Sequence, residues 1–275
     1  MRSLQGKRAL VTGASRGIGV HIAESLAQEG ASLVLAARNS EQLQAVTQDL
    51  QARYPDSQME YICTDMAAPD SIAMLYTKAT QDGRPIDVLV NNAGIYQYGI
   101  FEQIDFEDVN KMVQINLLGL MQLTHLVLKG MKSRGVGHVV NISSLAGLSG
   151  SAYAETYCAT KHAVVGFTRA LRVSLKQERS SVSASVICPG IVAETGIFNK
   201  LEVEEDVQAP ALMGKSDPRR VAQAVVRSIV KDVPEVVVNP TAVRPGLAFA
   251  CLFPRIMETL SLKLGLHGFL NPKSD

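Results

Sequence analysis

Tyr157 and Lys161 are the two residues whose types and spacing most directly suggest chemistry. An apolar helical pattern starts near residue 154 and runs towards residue 176. Side chains four apart on such a helix share one face, a turn apart. A phenol ionises near pH ~10, so it is a poor proton carrier at neutral pH unless its anion is stabilised. A neighbouring ammonium favours the phenolate and lowers that value. Ser144 lies on a small, polar loop just after a short apolar strand over 138–142. Its hydroxyl can fold back and hold a substrate oxygen beside the phenol. Tyr-x-x-x-Lys also arises by chance as a surface pair, so the reading needs support elsewhere.

That support comes from the N-terminus. Ala9-Leu-Val-Thr12 reads as a first strand, followed by Gly13-Ala-Ser15-Arg16-Gly17-Ile18-Gly19 and a helix over 21–29 closed by Gly30. Strand, glycine-rich turn and helix is the context of a dinucleotide fingerprint. Glycines allow unusual backbone angles and close approach to a pyrophosphate, and free N–H groups at the helix start face the anion. The second strand, 32–37, leads to Arg38. No acid occurs from Ala31 to Ser40 to take a ribose 2′-hydroxyl. Arg16 and Arg38 could instead clamp a 2′-phosphate.

Taken together, Thr12-Gly-x-x-x-Gly17-x-Gly19, Asn91-Asn92-Ala93-Gly94, Asn116, Ser144, Tyr157-x-x-x-Lys161 and Pro189-Gly190 resemble the short-chain dehydrogenase/reductase family. The motifs stand in the family's order over roughly residues 4–240. The resemblance implies four catalytic residues: Asn116, Ser144, Tyr157 and Lys161, with Asn116 holding a water that links the lysine to solvent. It implies cofactor contacts from Gly13, Ser15, Arg16, Gly17, Ile18, Gly19, Arg38, Asp65, Met66, Asn92, Ala93, Gly94, Tyr157, Lys161, Pro189, Gly190 and Ile191. NADP(H) is expected ahead of NAD(H). Thr195 sits one place later than the family's usual nicotinamide-contacting threonine, with Glu194 in that place.

The elements that must position these residues alternate along the chain. Strands are expected at 59–63, 86–90, 182–188 and 235–238, and helices at 40–53, 68–82, 101–131 and 218–231. Such alternation implies an α/β doubly wound, mostly parallel sheet in a three-layer helix–sheet–helix arrangement. By resemblance it is Rossmann-type, with about seven strands, in one catalytic domain over 1–240. Residues 196–214 lack a clean period and suggest a substrate lid. Beyond 241 comes an apolar extension whose stretch 245–254 is bracketed by Arg244 and Arg255. Ten residues cannot span a bilayer, which takes ~20. The extension can cover the pocket, pack on a partner subunit or rest on a membrane surface.

Composition limits the other classes. The chain of 275 residues is 47% apolar and 19% charged with a net charge of +1. That excludes disorder and offers no electrostatic pull towards nucleic acid. Cys63, Cys158, Cys188 and Cys251 form no C-x-x-C pair, so they read as small, reduced, buried residues, and no metal site is expected. No signal-peptide stretch precedes the first strand, and a cytoplasmic location is the default expectation.

The resulting expectation is an NADP(H)-dependent oxidoreductase interconverting a carbonyl and a secondary alcohol. Ser144, Leu145, Tyr153, Tyr157, Tyr96, Tyr98, Ile191, Ile197 and Phe198 form a mostly apolar candidate substrate wall, which favours a bulky or lipid-like ketone. A 3-oxoacyl-type ketoreductase, a non-catalytic NADP-binding sensor on the same fold, and a redox-neutral epimerase or lyase stand as alternatives. The partner set is a small-molecule substrate and, by resemblance, further copies of the chain in a homodimer or homotetramer.

Overall fold

The computed structural model describes residues 1–193 and 214–263. Seven strands, β1 (Arg8–Thr12), β2 (Ser32–Ala37), β3 (Met59–Cys63), β4 (Val88–Asn91), β5 (His138–Ile142), β6 (Ser183–Pro189) and β7 (Glu235–Val238), form one sheet. Their order across the sheet is β3-β2-β1-β4-β5-β6-β7. Every neighbouring pair runs parallel. The strands are linked by α1 (Ile18–Gln28), α2 (Ser40–Arg53), α3 (Pro69–Thr80), α4 (Phe106–Val113), α5 (Gly119–Arg134), α6 (Glu155–Gln177) and α7 (Pro218–Val230).

Strand side chains alternate between the two faces of a sheet, and here both faces are buried. Ala9, Val11, Leu33, Leu35, Val88 and Val90 point into one core with Ile22 and Leu26 of α1 and Val221 and Val225 of α7. Leu10, Val34, Ala36 and Leu89 point into the other, with Leu75 of α3, Leu123 of α5 and Leu175 of α6. This double burial is why the strands read as unbroken apolar runs rather than as alternating ones.

Connectivity reverses between β1 and β4, which are neighbours although two strands intervene in sequence. The carboxyl edge at such a reversal is where open α/β sheets bind ligands. Thr12 ends β1 and Asn91 ends β4, so the glycine turn and the Asn-Asn-Ala-Gly segment emerge side by side there.

Two expectations need correction. The single helix expected over 101–131 is instead a 3-10 turn at Phe101–Gln103, then α4, then a π-helical segment at Gln114–Leu118, then α5. Asp105 starts α4 by accepting a hydrogen bond from the Glu107 amide at 2.9 Å, a cap hidden by the continuous apolar pattern. Cys63 and Cys251 are exposed, and Cys158 and Cys188 buried. Cys63 closes the edge strand β3, where one flank has no neighbour. The Met66 side chain packs into the core with Leu10 and Ile72, which leaves the expected cofactor contact to its main chain.

Beyond β7 lie α8 (Arg244–Leu252) and α9 (Pro254–Lys263). No helix among the described residues is long and apolar enough to cross a membrane.

Candidate active site

The glycine turn is built from backbone that tolerates no side chain. Gly13 and Gly17 have φ of 67° and 62°, in the left-handed region that favours glycine. A Cβ on Gly13 would lie 2.8 Å from the Ala93 Cα, and one on Gly19 would run into the Gly13 carbonyl oxygen. Asn92 locks the turn from the β4 side, donating its amide to the carbonyls of Thr12 at 3.0 Å and Gly13 at 3.1 Å. The Thr12 hydroxyl accepts from the amides of Asn92 and Ala93, each at 3.1 Å. Asn92 and Ala93, expected to flank a cofactor, therefore also shape the loop that would hold it.

Helix α1 begins at Gly17 with no side-chain cap and no acid in its first turn. Its first amides are left open to an anion, which fits a dinucleotide pyrophosphate. Ala14 donates to the Ala36 carbonyl at 3.2 Å, tying the glycine turn to the end of β2. Arg16 and Arg38 each lie two residues beyond that tie. Both are exposed, and neither guanidinium makes an ion pair among the described residues. Asp65, carried from the resemblance as an adenine contact, accepts the Ala67 amide at 2.9 Å, and its own amide donates to Ser71 at 2.9 Å. It shapes the turn after β3.

The proton-handling residues converge on the next edge of the crevice. Ser144 opens a 3-10 turn at the end of β5, its hydroxyl accepting the Ala146 amide at 3.1 Å. The Ser144 side chain pulls the Tyr157 phenol towards ionisation. Lys161 is buried one turn further along α6, with Nζ donating to the Ile142 carbonyl at 3.0 Å. Burial lowers the Lys161 ammonium to about 8. Burial pushes the Tyr157 phenol up to about 12, against the opposing pull of Ser144. This is the reverse of the lowering expected from the lysine alone, because the cost of burying a phenolate dominates in this structure.

Asn116 sits in the π-helical segment and clasps Ile95 from both sides. Its Oδ1 accepts the Ile95 amide at 2.8 Å, and its Nδ2 donates to the Ile95 carbonyl at 2.9 Å. Nδ2 also reaches the Thr160 hydroxyl at 3.3 Å, which itself donates to the Tyr157 carbonyl at 2.8 Å. A Cβ on Gly94 would sit 3.3 Å from Asn116 Oδ1 and 3.5 Å from Lys161 Nζ. All four expected catalytic side chains thus lie in one connected cluster. The π turn is the local distortion that aims the carboxamide inwards, a device common at functional sites.

A short chain dehydrogenase model matches residues 7–206. The chain belongs to the short-chain dehydrogenase/reductase family. As a member of that oxidoreductase family, it is 38% identical over 247 residues to ketoacyl reductase HetN of Nostoc sp., covering 90% of this chain and 83% of the relative. It is 33% identical to the NAD(+) enzyme 15-hydroxyprostaglandin dehydrogenase of Rattus norvegicus, covering 83% of this chain and 88% of the relative. A crystal structure of a variant actinorhodin polyketide ketoreductase with NADPH superposes with a TM-score of 0.77 at 32% identity. It covers 86% of this chain and 97% of the other.

The short-chain dehydrogenase site also has parts that the motifs did not reveal. Ser143 donates to the Lys161 carbonyl at 2.9 Å, and a Cβ on Gly147 would press on that same carbonyl. Together they press the Ser144 turn onto α6. Beneath them, Asn91 donates to Asn141 at 2.8 Å and to Thr124 at 3.0 Å, while Asn141 donates to Thr168 at 2.8 Å. Asn91 and Asn141 stand opposite each other in the β4–β5 register. Buried polar residues at strand ends were the only sequence signal for this bracket.

Of the expected substrate wall, Tyr96, Tyr98, Tyr153, Tyr157 and Ile191 pack together around Ala154 and Cys158. Tyr96 meets the Tyr157 ring edge-on at 4.8 Å and stacks with Tyr98 at 6.1 Å. Tyr153 has φ of 61°, and its carbonyl accepts the Gly99 amide at 2.9 Å, joining the loop after β4 to the loop before α6. Leu145 is buried against Gly190, whose amide donates to Val238 at 2.9 Å and follows Pro189 at the end of β6. Phe198, Ile197, Thr195 and most of the expected lid lie outside the described residues.

Proposed function

We propose that this chain is an NADP(H)-dependent ketoreductase acting on a bulky, apolar carbonyl substrate. The observation that carries the reading is the half-buried Tyr157, set edge-on against Tyr96 and backed by the buried Lys161 at the sheet's reversal crevice. When bound, the nicotinamide cofactor supplies the hydride in reduction or accepts it in oxidation. Gly13, Gly17 and Gly19 with the open start of α1 would hold its pyrophosphate. Arg16 and Arg38 would hold a 2′-phosphate, and Lys161 would donate to ribose hydroxyls.

The chain's own residues handle the proton. A phenol raised to about 12 is protonated throughout the neutral range, as a proton donor to a carbonyl oxygen must be. Ser144 orients and polarises that oxygen, a preorganised electrostatic contribution. Asn116 and Thr160 fix the backbone around Tyr157 and Ile95, and Asn116 faces Lys161 to resupply the proton through water.

The tyrosine-rich wall of Tyr96, Tyr98 and Tyr153 supports a bulky substrate over a small polar one. A 3-oxoacyl thioester is the second reading, favoured by the resemblance to ketoacyl reductase HetN. The test is a panel of ketones offered with NADPH and, separately, with NADH. It spans 3-oxoacyl thioesters, cyclic and polycyclic ketones, and short aliphatic ketones. NADPH oxidation strongest on large apolar ketones is expected. Turnover confined to short polar ketones would overturn the substrate assignment, and faster turnover with NADH would overturn the cofactor assignment.

A further inference from the structure

Helices α8 and α9 pack on each other and, among the described residues, lie outside the sheet cores. No residue of α8 is buried, and Ser261 is the one buried residue of α9. Among the described residues, none of their side chains joins either sheet core or the tyrosine cluster. The hairpin is tied at its foot by Arg244, 3.6 Å from Glu235 at the start of β7. Phe249 and Phe253 stack against each other at 5.0 Å.

Six large apolar side chains are exposed here: Phe249, Leu252, Phe253, Ile256, Leu260 and Leu262, with Leu252 at 73%. So many exposed large apolar side chains on two short helices mark an interaction surface. Its shape narrows the partner. After Arg244, helix α8 reads Pro-Gly-Leu-Ala-Phe-Ala-Cys-Leu, with no charged side chain on any face. A helix with no charged face is poorly suited to bulk water and is best accommodated against an apolar medium. With nine residues, α8 is about 13 Å long, far short of a ~30 Å hydrocarbon core, so it can lie in a membrane surface and not across it.

Charge points the same way. Arg244 and Arg255 bracket α8, and Lys263 ends α9, against a single acid, Glu258, over residues 244–263. Arg255 and Lys263 make no ion pair among the described residues. Such long cationic side chains can keep their heads in water while their stems follow buried apolar neighbours. Apolar residues flanked by cations are the make-up of an interfacial anchor. We propose that the α8–α9 hairpin docks this protein on an anionic phospholipid surface. Its leucines, isoleucine and phenylalanines enter the acyl region, with Arg255 and Lys263 at the phosphates.

The test is vesicle flotation of the full chain. Phosphatidylcholine vesicles carrying phosphatidylglycerol are compared with phosphatidylcholine alone. The protein is expected to float with the anionic vesicles and much less with the neutral ones. Arg255→Gln should weaken that binding about fivefold at low salt. The double variant Leu252→Asp, Ile256→Asp should abolish it; both side chains are exposed, so an unchanged melting temperature is expected alongside. The chain has no tryptophan, so Phe253→Trp gives a single reporter. Its emission should shift to the blue on anionic vesicles and stay unchanged on raising the protein concentration without lipid. Three results overturn the proposal. One is no flotation, another is equal flotation of wild type and double variant, and the third is a lipid-free blue shift that tracks self-association.

Discussion

The Lys161 ammonium lies 5.6 Å from the centre of the Tyr157 ring while donating to the Ile142 carbonyl. The lysine therefore sits under the phenol's ring, anchored to the end of β5. Lys161 is buried and Tyr157 half-buried, and desolvation disfavours the charged form of each: the phenol rises to about 12 and the ammonium falls to about 8. In such a pair the phenol keeps its proton across the neutral range, and the lysine loses its cation as pH rises through about 8.

The lysine's lowered value gives a direct pH prediction. Below about 8 the ammonium is present, and as pH rises through about 8 it is lost. NADPH affinity, read by isothermal titration, should fall over that window in the wild type. Lys161→Met should bind more weakly near pH ~7 and show no inflection between ~7 and ~9. A wild-type affinity that stays flat across the window would remove Lys161 from cofactor binding.

A second pH effect belongs to stability and lies on the opposite edge of the sheet. His138 starts β5, fully buried, with Nε2 2.8 Å from the Ser185 hydroxyl. Burial lowers it from 6.5 to about 4, with Asp232 partly opposing and Arg172 adding to the fall. Between those values the unfolded chain binds a proton that the folded chain refuses, so stability rises with pH across the window. Acidifying from above about 6.5 to about 4 should cost on the order of 3 kcal/mol. Urea midpoints across that range should drop in the wild type and drop markedly less in His138→Gln.

Cofactor choice is tested at Arg38. Arg38→Asp removes an exposed guanidinium and supplies the acid that a ribose hydroxyl prefers. NADPH affinity should fall about tenfold to a hundredfold, the worth of a charge-assisted hydrogen bond, while NADH affinity holds or improves. An unchanged NADPH-to-NADH ratio would place the discrimination elsewhere.

The glycine turn offers a steric test. A methyl at Gly19 meets the Gly13 carbonyl, a backbone atom that cannot swing aside. Gly19→Ala should weaken cofactor binding about tenfold or more, since overpacking costs ~1–3 kcal/mol. A thermal melt in the absence of cofactor separates this from simple unfolding. Full affinity in the variant would mean the turn does not carry the phosphate.

Much of the fold was legible because both faces of the sheet are buried. Strands 32–37, 59–63, 138–142 and 235–238 were read with the bounds the structure has, since turn residues punctuate each apolar run. Thr12, Asn91, Ser144 and Gly190 could be placed at the carboxyl edge for the same reason. The break in the 101–131 helix could not be read. The apolar spacing runs past the Asp105 cap that starts α4, and the π-helical segment holds Asn116 against Ile95, a contact between separate segments that leaves no local pattern. The phenol's upward shift was missed likewise, since spacing shows which charge is near but not how dry the site is. The exposed cysteines reflect position at an edge strand and on the hairpin, which composition does not report.

The most direct test compares wild type with Tyr157→Phe, each loaded with NADPH and mixed with a ketone that the wild type reduces. The substitution removes one oxygen, keeps the ring that packs on Tyr96, and leaves the glycine turn intact. NADPH affinity should stay within about twofold while the single-turnover rate of NADPH oxidation falls about 10²- to 10⁴-fold. A variant that oxidises NADPH at a rate near the wild type's would contradict the assignment of Tyr157 as the proton donor.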